Sequence, residues 1–364
     1  MSVALLTNAL LPYRVPLYER LAAEYDVEVL CWGESRFVPE WFADLDAQLA
    51  AAPFPARRLE GARGALRAGR DYEALIASYA GGAILPAAYA GARLHRRGFV
   101  LWASVWANPR SLRHDIARPA TDWIYRHADA VVAYGEHTRR FAAGPRGRDD
   151  DIFIAPQSVE PELFARSVSE SEVAAFRTEH ALGDGPLVLY VGRLVPEKGI
   201  AVLAEAWPRL AETATLVVIG DGSLRSSLAG LPGTVILDAV PRPALPVAYR
   251  AARLTVLPSI PTPVFIEPWG LVVNESLHQG RPVVVTEAVG AAAGGLVRHE
   301  QTGLVVTPGD SRALAAAIDR LLADPELVDR LGQAGRSALA GHTYEAMAAA
   351  FGRALAIARP PRAH

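Results

Sequence analysis

Short, fully apolar runs alternate along this chain with longer stretches whose apolar positions repeat every three to four residues. Apolar runs bounded by turn residues read as strands buried on both faces, and the stretches between them as helices. In the first part the strands fall at 3–6, 27–30, 74–78, 99–102, 130–133 and 152–154, with Pro16 opening a helix that carries Leu17, Leu21 and Ala22. A polar helix near 169–180 and the break Gly183-Asp-Gly-Pro186 lead to a second series, with strands at 187–191, 216–219, 234–237, 254–257, 283–286 and 304–306. Helices there are predicted at 200–210, 244–251 and after Asp310 or Ser311, the last with Leu314, Ile318, Leu321 and Leu322 on one face. Strands alternating with helices twice over predict an α/β chain of two doubly wound, Rossmann-like domains facing a cleft. The predicted boundaries are 1–165 and 166–342. A helix at 343–358 then crosses back to the first domain, and 359–364 is a frayed tail.

Composition narrows the class. A chain of 364 residues accommodates two domains, and 51% hydrophobic with 21% charged residues describes a globular protein. The net charge of −2 gives no pull toward nucleic acid. The single cysteine, Cys31, lies in an apolar run; it excludes an internal disulfide framework and suits a reducing cytoplasm. No basic region precedes the apolar start, so no signal peptide is predicted. The uncharged run 74–92 is broken by Gly81, Gly82 and Pro86 and reads as strand, turn and helix, not a membrane span. Between Arg57 and Arg118 eleven arginines face four acids, Glu60, Asp71, Glu73 and Asp115. This is either a solvated basic face or an attachment surface for anionic lipid or an anionic acceptor, at the inner face of a membrane.

The chemistry concentrates in the second series. Glu267 and Glu275 bracket a predicted helix start that follows one strand and precedes another, which places both carboxylates at the carboxyl edge of a parallel sheet. The plainer alternative is a helix-start acid beside a solvated one. Of 37 basic residues 36 are arginine, and the one lysine, Lys198, lies in a loop between a strand and a helix. A compact, mobile ammonium reaches a phosphate oxygen in ways a guanidinium does not. Gly192 lets the backbone approach a ligand, Arg193 supplies a planar fork, and the amides of Gly270, Leu271 and Val272 open a helix toward negative charge. Two cations and a helix mouth suit a diphosphate; Glu275 suits ribose hydroxyls, and Glu267 the sugar beyond.

The run Gly192-Arg-Leu-Val-Pro-Glu-Lys198-Gly199, with Glu267-x7-Glu275, resembles the retaining nucleotide-sugar glycosyltransferases of glycosyltransferase family 4, which have the two-Rossmann GT-B architecture. The likeness extends through Gly220-Asp-Gly222, Leu257-Pro-Ser259 and Gly280-Arg-Pro-Val283. In the first domain it rests on Asp129-Ala-Val-Val-Ala-Tyr-Gly135 and Ala155-Pro-Gln-Ser-Val-Glu160. It implies that Arg193 and Lys198 bind the donor diphosphate, Glu275 the ribose and Glu267 the donor sugar, with the amides at Gly270 and Leu271 on phosphate. Glu267, Arg193 and Lys198 are the implied catalytic set. The co-substrate would be a nucleoside-diphosphate sugar, with no cofactor or metal, and transfer would retain configuration through front-face attack by the acceptor hydroxyl. Three features depart from the family. The first loop is Asn8-Ala-Leu-Leu-Pro-Tyr-Arg14 and lacks a Gly-Gly pair; the segment Leu101-Trp-Ala-Ser-Val-Trp106 lacks a histidine; and Pro258-Ser-Ile-Pro-Thr-Pro263 is unusually rich in proline.

Other readings stay open. A glycosidase needs two carboxylates but leaves the phosphate-binding residues without a task. A dehydrogenase is disfavoured because Gly290-Ala-Ala-Ala-Gly-Gly295, read as a tight turn, does not fit Gly-x-Gly-x-x-Gly. A nucleotide-sugar 2-epimerase or a non-catalytic nucleotide-sugar binder shares the same diphosphate problem. Asp149, Asp150 and Asp151 read as solvated turn acids, and His95, His114, His127 and His137 as surface residues. The acceptor (a glycan, a glycolipid or a small molecule) is expected at the loops 8–14, 81–82 and 104–108, where Asn8, Arg14 and Trp106 are the candidates and Tyr13 is a further stacking ring. Surface polysaccharide or glycolipid assembly is the first expectation, and decoration of a small metabolite the second.

Overall fold

The computed structural model describes residues 1–33, 44–79, 82–238 and 240–358. The tail 359–364 and Gly81 of the 81–82 loop lie outside the described residues. Two compact units emerge: Met1–Gln157 with Thr343–His364, and Ser158–His342.

The first unit holds β1 Val3–Thr7, β2 Val27–Cys31, β3 Ala56–Arg58, β4 Ala74–Ser78, β5 Gly98–Ala103, β6 Ala130–Ala133 and β7 Ile152–Ile154. They form one sheet in the order β3-β2-β1-β4-β5-β6-β7, every pairing parallel. The order reverses beside β1, the switch point that in such sheets opens a crevice at the carboxyl ends of the strands. Because β1 and β5 are buried at every position, each needs cover on both faces, which explains their uninterrupted apolar sequence. On one face Leu17, Tyr18 and Leu21 of the helix Val15–Tyr25 pack with Met347, Phe351 and Leu355 of the helix Tyr344–Ile357. The returning C-terminal helix is therefore part of this unit's core. The other face is covered by Gly61–Asp71, Ile84–Leu94 and Leu112–His127. The first two of these meet through glycine: a Cβ on Gly69 would lie 2.1 Å from the carbonyl carbon of Gly91, so only glycine allows the approach.

The second unit holds β8 Leu187–Val191, β9 Thr215–Ile219, β10 Thr234–Leu237, β11 Leu254–Leu257, β12 Val283–Thr286 and β13 Leu304–Val306. The sheet order is β10-β9-β8-β11-β12-β13, again all parallel, with the reversal beside β8. Two apolar clusters sandwich it, one built on Trp207, Leu203, Ile318 and Leu331, the other on Phe164, Tyr249 and Leu189. Residues 158–165, assigned to the first domain by sequence, cluster with the second unit. Phe164, in the helix Pro161–Phe164, is fully buried with its ring 6.4 Å from Tyr249, and the Gln279 amide donates to the carbonyls of Phe164 and Arg166. That burial was invisible from a boundary drawn on strand count.

Local chemistry sets the helix ends. Ser169 and Glu172 form a reciprocal capping box at Glu170–Glu179, and the Asp310 carboxylate accepts from the amides of Arg312 and Ala313 at 3.0 and 2.9 Å. The helix read as 200–210 stops at Ala206 and tightens into a 3-10 turn over Trp207–Arg209. The segment from Gly290, read as a tight turn, is a one-turn helix, Gly290–Ala293.

Candidate active site

The loop after β8 is shaped by glycines that no other residue can replace without movement. Gly192 has φ +149°, and a Cβ on Gly220, at the end of β9, would lie 2.0 Å from the Gly192 carbonyl oxygen. The Tyr190 hydroxyl donates to the Arg193 carbonyl at 2.7 Å, and the Leu194 amide donates to the Asp221 carbonyl at 2.8 Å. A 3-10 turn, Pro196–Lys198, then carries the lysine, and Gly199 at φ +71° turns the chain into the helix Ile200–Ala206. A Cβ on Gly199 would fall 1.9 Å from the Pro258 carbonyl oxygen, so this loop lies directly on the one that follows β11.

Lys198 and Glu267, 69 residues apart, form an ion pair between Nζ and Oε2. Their side chains are only 14% and 8% exposed, so the pair is largely withdrawn from water. The Ser259 hydroxyl donates to the same Glu267 oxygen at 3.1 Å, while the Thr286 hydroxyl donates to the Ser259 carbonyl. The Glu267 backbone is fixed as well, through a parallel bridge to Val289 and a bond from the Gly290 amide at 3.1 Å. One carboxylate is thus positioned by the carboxyl ends of β8, β11 and β12, the edge at which open α/β sheets bind ligands. Arg193 also lies on this loop and meets Glu197 at 3.2 Å.

Gly270 follows at φ +90°, and the first-turn amides of Gly270, Leu271 and Val272 precede the bond from the Val273 amide to the Gly270 carbonyl at 2.9 Å. The helix proper is Val272–His278, so it begins just after Gly270 and Leu271, not at Gly270 itself. Glu275 sits inside it, buried, and accepts a hydrogen bond of 2.6 Å from the Tyr249 hydroxyl. Burial pushes the Glu275 carboxyl up to about 7, against the opposing pulls of the Tyr249 hydroxyl and Arg242, with Glu160 adding to the rise. Burial, then the Glu275 charge, pushes the Tyr249 phenol well above its ordinary value. Nearby, Arg242 is ion-paired with Glu160.

The residues read from sequence are therefore sorted by the structure. Lys198 and Glu267 are in contact, and Gly270 closes on them: a Cβ there would lie 3.8 Å from Glu267 Cγ. Arg193 shares the lysine's loop but is engaged with Glu197. Glu275 is held by Tyr249. Sequence reasoning missed the roles of Glu197, Tyr249 and Thr286, which only folding brings to these groups. Ser259 was visible inside the Leu257-Pro-Ser259 run, though not as the donor to Glu267.

In the first unit Asn8 is half-buried directly after β1. Arg14 is buried: its guanidinium lies 4.3 Å from the Trp102 ring centroid, 5.0 Å from Tyr134 and 5.3 Å from Tyr13, and donates to the Tyr134 hydroxyl. It is boxed among aromatic rings and not presented on a surface. Trp106 is half-buried and meets His137 edge-on at 5.2 Å. His137, expected at the surface, is itself buried in the helix Glu136–Arg146. Asp151 likewise is no solvated turn acid; it is buried and paired with Arg146 and Arg148. Among the described residues no cluster of three or more His, Cys, Asp or Glu could hold a metal ion.

Residues 185–324 match the glycosyl transferases group 1 family. Among curated proteins the chain is 29% identical over 244 residues to alpha-D-kanosaminyltransferase of Streptomyces kanamyceticus, covering 62% of this chain and 60% of the relative. It is 31% identical over 234 residues to a GDP-mannose-dependent alpha-(1-6)-phosphatidylinositol monomannoside mannosyltransferase of Mycolicibacterium smegmatis, covering 61% and 60%. The chain thus spans about three-fifths of the length of these relatives. Among solved structures it resembles Anabaena HepE in complex with UDP, with a TM-score of 0.80 at 19% identity over 98% of this chain and 100% of that one. Sucrose-phosphate synthase from Thermosynechococcus elongatus gives 0.73 at 22% identity, covering 98% of each chain. The similarity to the group 1 glycosyltransferases is thus carried by residues 185–324, while the likeness of the two parallel-sheet units to these solved structures is one of fold.

Proposed function

We propose that the protein moves a hexose-type sugar from a nucleoside-diphosphate donor to an acceptor hydroxyl with retention of anomeric configuration. The observation that carries this reading is the buried pair of Lys198 and Glu267, held with Ser259 at the carboxyl ends of three parallel strands. A donor would exchange partners with that pair. Its diphosphate takes the ammonium of Lys198 and the fork of Arg193, and its sugar hydroxyls take the Glu267 carboxylate that the lysine releases. Both cations then face the oxygen on which charge grows as the glycosidic bond breaks, which is where electrostatic catalysis acts. Glu275 receives the ribose hydroxyls, and the Gly270 and Leu271 amides a phosphate oxygen. With two cations compensating the leaving group, no metal is required, and turnover is expected to survive a chelator.

UDP and UDP-glucose in the HepE complexes support a nucleotide sugar as donor. The phosphatidylinositol mannoside in the name of the mycobacterial relative supports a glycolipid acceptor, read by the first unit through the loops that hold Asn8 and Trp106. The proposed role is in surface polysaccharide or glycolipid assembly, and the proposed location the cytoplasm. The decisive experiment incubates the protein with a panel of nucleotide sugars and reads nucleoside diphosphate release with and without candidate acceptors. Release that rises with acceptor, with the α-anomer retained in the product, is the expected outcome; isomerised donor without release would make the protein an epimerase instead.

A further inference from the structure

The helix Leu112–His127 is anchored only at its far end. Ile124 and Tyr125 are buried against the sheet of the first unit, whereas every residue from 112 to 120 is exposed. A helical stretch this short has little stability without tertiary packing, so its sequence must be judged by what faces outward. Leu112 and Ile116 are 76% and 72% exposed, and Trp123, immediately before the anchor, is 56% exposed. At 100° per residue these three side chains lie within about 40° of one another, a narrow apolar stripe turned away from the core. The stripe runs about 16 Å along the helix axis. Leu94, at the end of the neighbouring helix Ile84–Leu94, is 72% exposed, and Leu66 of Gly61–Asp71 is exposed in the same layer.

Charge follows the same layer. From Gly61 to His127 ten arginines face four acids, Asp71, Glu73, Asp115 and Asp122. Arg67, Arg70 and Arg118 have carboxylate partners, but Arg63, Arg96, Arg110 and Arg113 have none among the described residues. Arg113 and Arg126 flank the apolar stripe on its two sides. Leucine, isoleucine and tryptophan exposed in a row, bordered by guanidinium groups that no carboxylate neutralises, form the pattern of a helix that lies in an anionic lipid interface. A protein partner of acidic character would leave the stripe without an apolar counterpart, and a second copy would bring like charges together.

We propose that the helix Leu112–His127, with the arginines beside it, seats the first unit on an anionic membrane surface, its apolar stripe entering the headgroup region. This goes beyond the transfer reaction and stands whether or not the donor assignment holds. The test is flotation of the whole protein with vesicles of equal parts phosphatidylcholine and phosphatidylglycerol, against vesicles of phosphatidylcholine alone. We expect about tenfold preference for the anionic vesicles, weakening as salt is raised. The triple variant Leu112→Ser, Ile116→Ser, Trp123→Ser changes only exposed side chains and should lose most of that binding while melting at the parent temperature. The variant Arg63→Ser, Arg110→Ser, Arg113→Ser should lose the anionic preference. Failure to bind anionic vesicles at low salt, or binding unchanged in both variants, overturns the proposal. So does self-association in lipid-free buffer that the triple variant abolishes, because a second copy would then be the occupant.

Discussion

A lone lysine among 36 arginines marks the residue on which the proposed chemistry turns, and the fold gives it a buried carboxylate as neighbour. Lys198→Ala is expected to weaken nucleoside diphosphate binding about tenfold or more, a loss of about 1.4 kcal/mol, measured by calorimetry. Lys198→Arg should not restore it, because a planar fork on this crowded loop cannot reproduce a point charge. Glu267→Gln is expected to lower turnover at least about a hundredfold with nucleotide affinity preserved, since in the proposed complex its carboxylate meets the sugar and not the nucleotide. Normal turnover would remove Glu267 from the site. Glu275 makes a prediction about pH. Its carboxyl titrates near 4.5 when unfolded and near 7 when folded, so the folded state holds the extra proton between those values. Stability from this group is therefore greatest at low pH, declines as pH rises toward 7 and levels off above, by at most about 3 kcal/mol. Glu275→Gln, which keeps an acceptor for Tyr249, should raise stability by about 1–3 kcal/mol near pH 8, with the gain vanishing toward pH 5. Thermal melting across pH reads this directly.

Among the elements, the strands and the loops at their ends differ in how much of them sequence conveys. Val3–Thr7, Ala74–Ser78 and Leu187–Val191 are legible because burial on both faces demands unbroken apolar runs. The helix Gly61–Asp71 and the strand Ala56–Arg58 were not, because arginine, alanine and glycine dominate them and contact with neighbours, not periodicity, holds them in place. At the site the loop geometry hangs on glycine. Gly199 combines a left-handed φ of +71° with a backbone neighbour at 1.9 Å from any added Cβ. Gly199→Ala should therefore cost about 2 kcal/mol or more in urea unfolding and displace Lys198 from Glu267. An unchanged unfolding midpoint would mean the loop is not seated on Pro258 as described.

For the molecule as a whole, the last helix completes the first unit after the second has been built. Met347, Phe351 and Leu355 enter the same core as Leu17 and Tyr18, and Phe351 meets Trp102 edge-on at 5.1 Å. The Tyr344 hydroxyl also donates to the Tyr13 carbonyl at 2.8 Å, beside the Arg14 box. A chain ending before Thr343 is expected to lose the folded first unit while the second stays intact, which limited proteolysis would register as a protected fragment near residues 158–342. Equal protection of both units would show that the helix is dispensable. The first unit thus depends on chain segments that lie far apart in sequence.

The sequence alone determined the alternation of strands and helices, the duplication of a doubly wound unit, and the loops that carry Lys198 and Glu267, because buried parallel strands and glycine turns leave local signatures. Only the tertiary structure decided which charges meet. Lys198 finds Glu267 across 69 residues, Arg193 is taken up by Glu197, and Glu275 is held by Tyr249. It also buried Arg14, read from sequence as an acceptor-loop candidate, and His137 and Asp151, read as surface residues. Burial and ion pairing are properties of neighbours brought together by the sheet order, and a linear pattern carries no information about partners that distant.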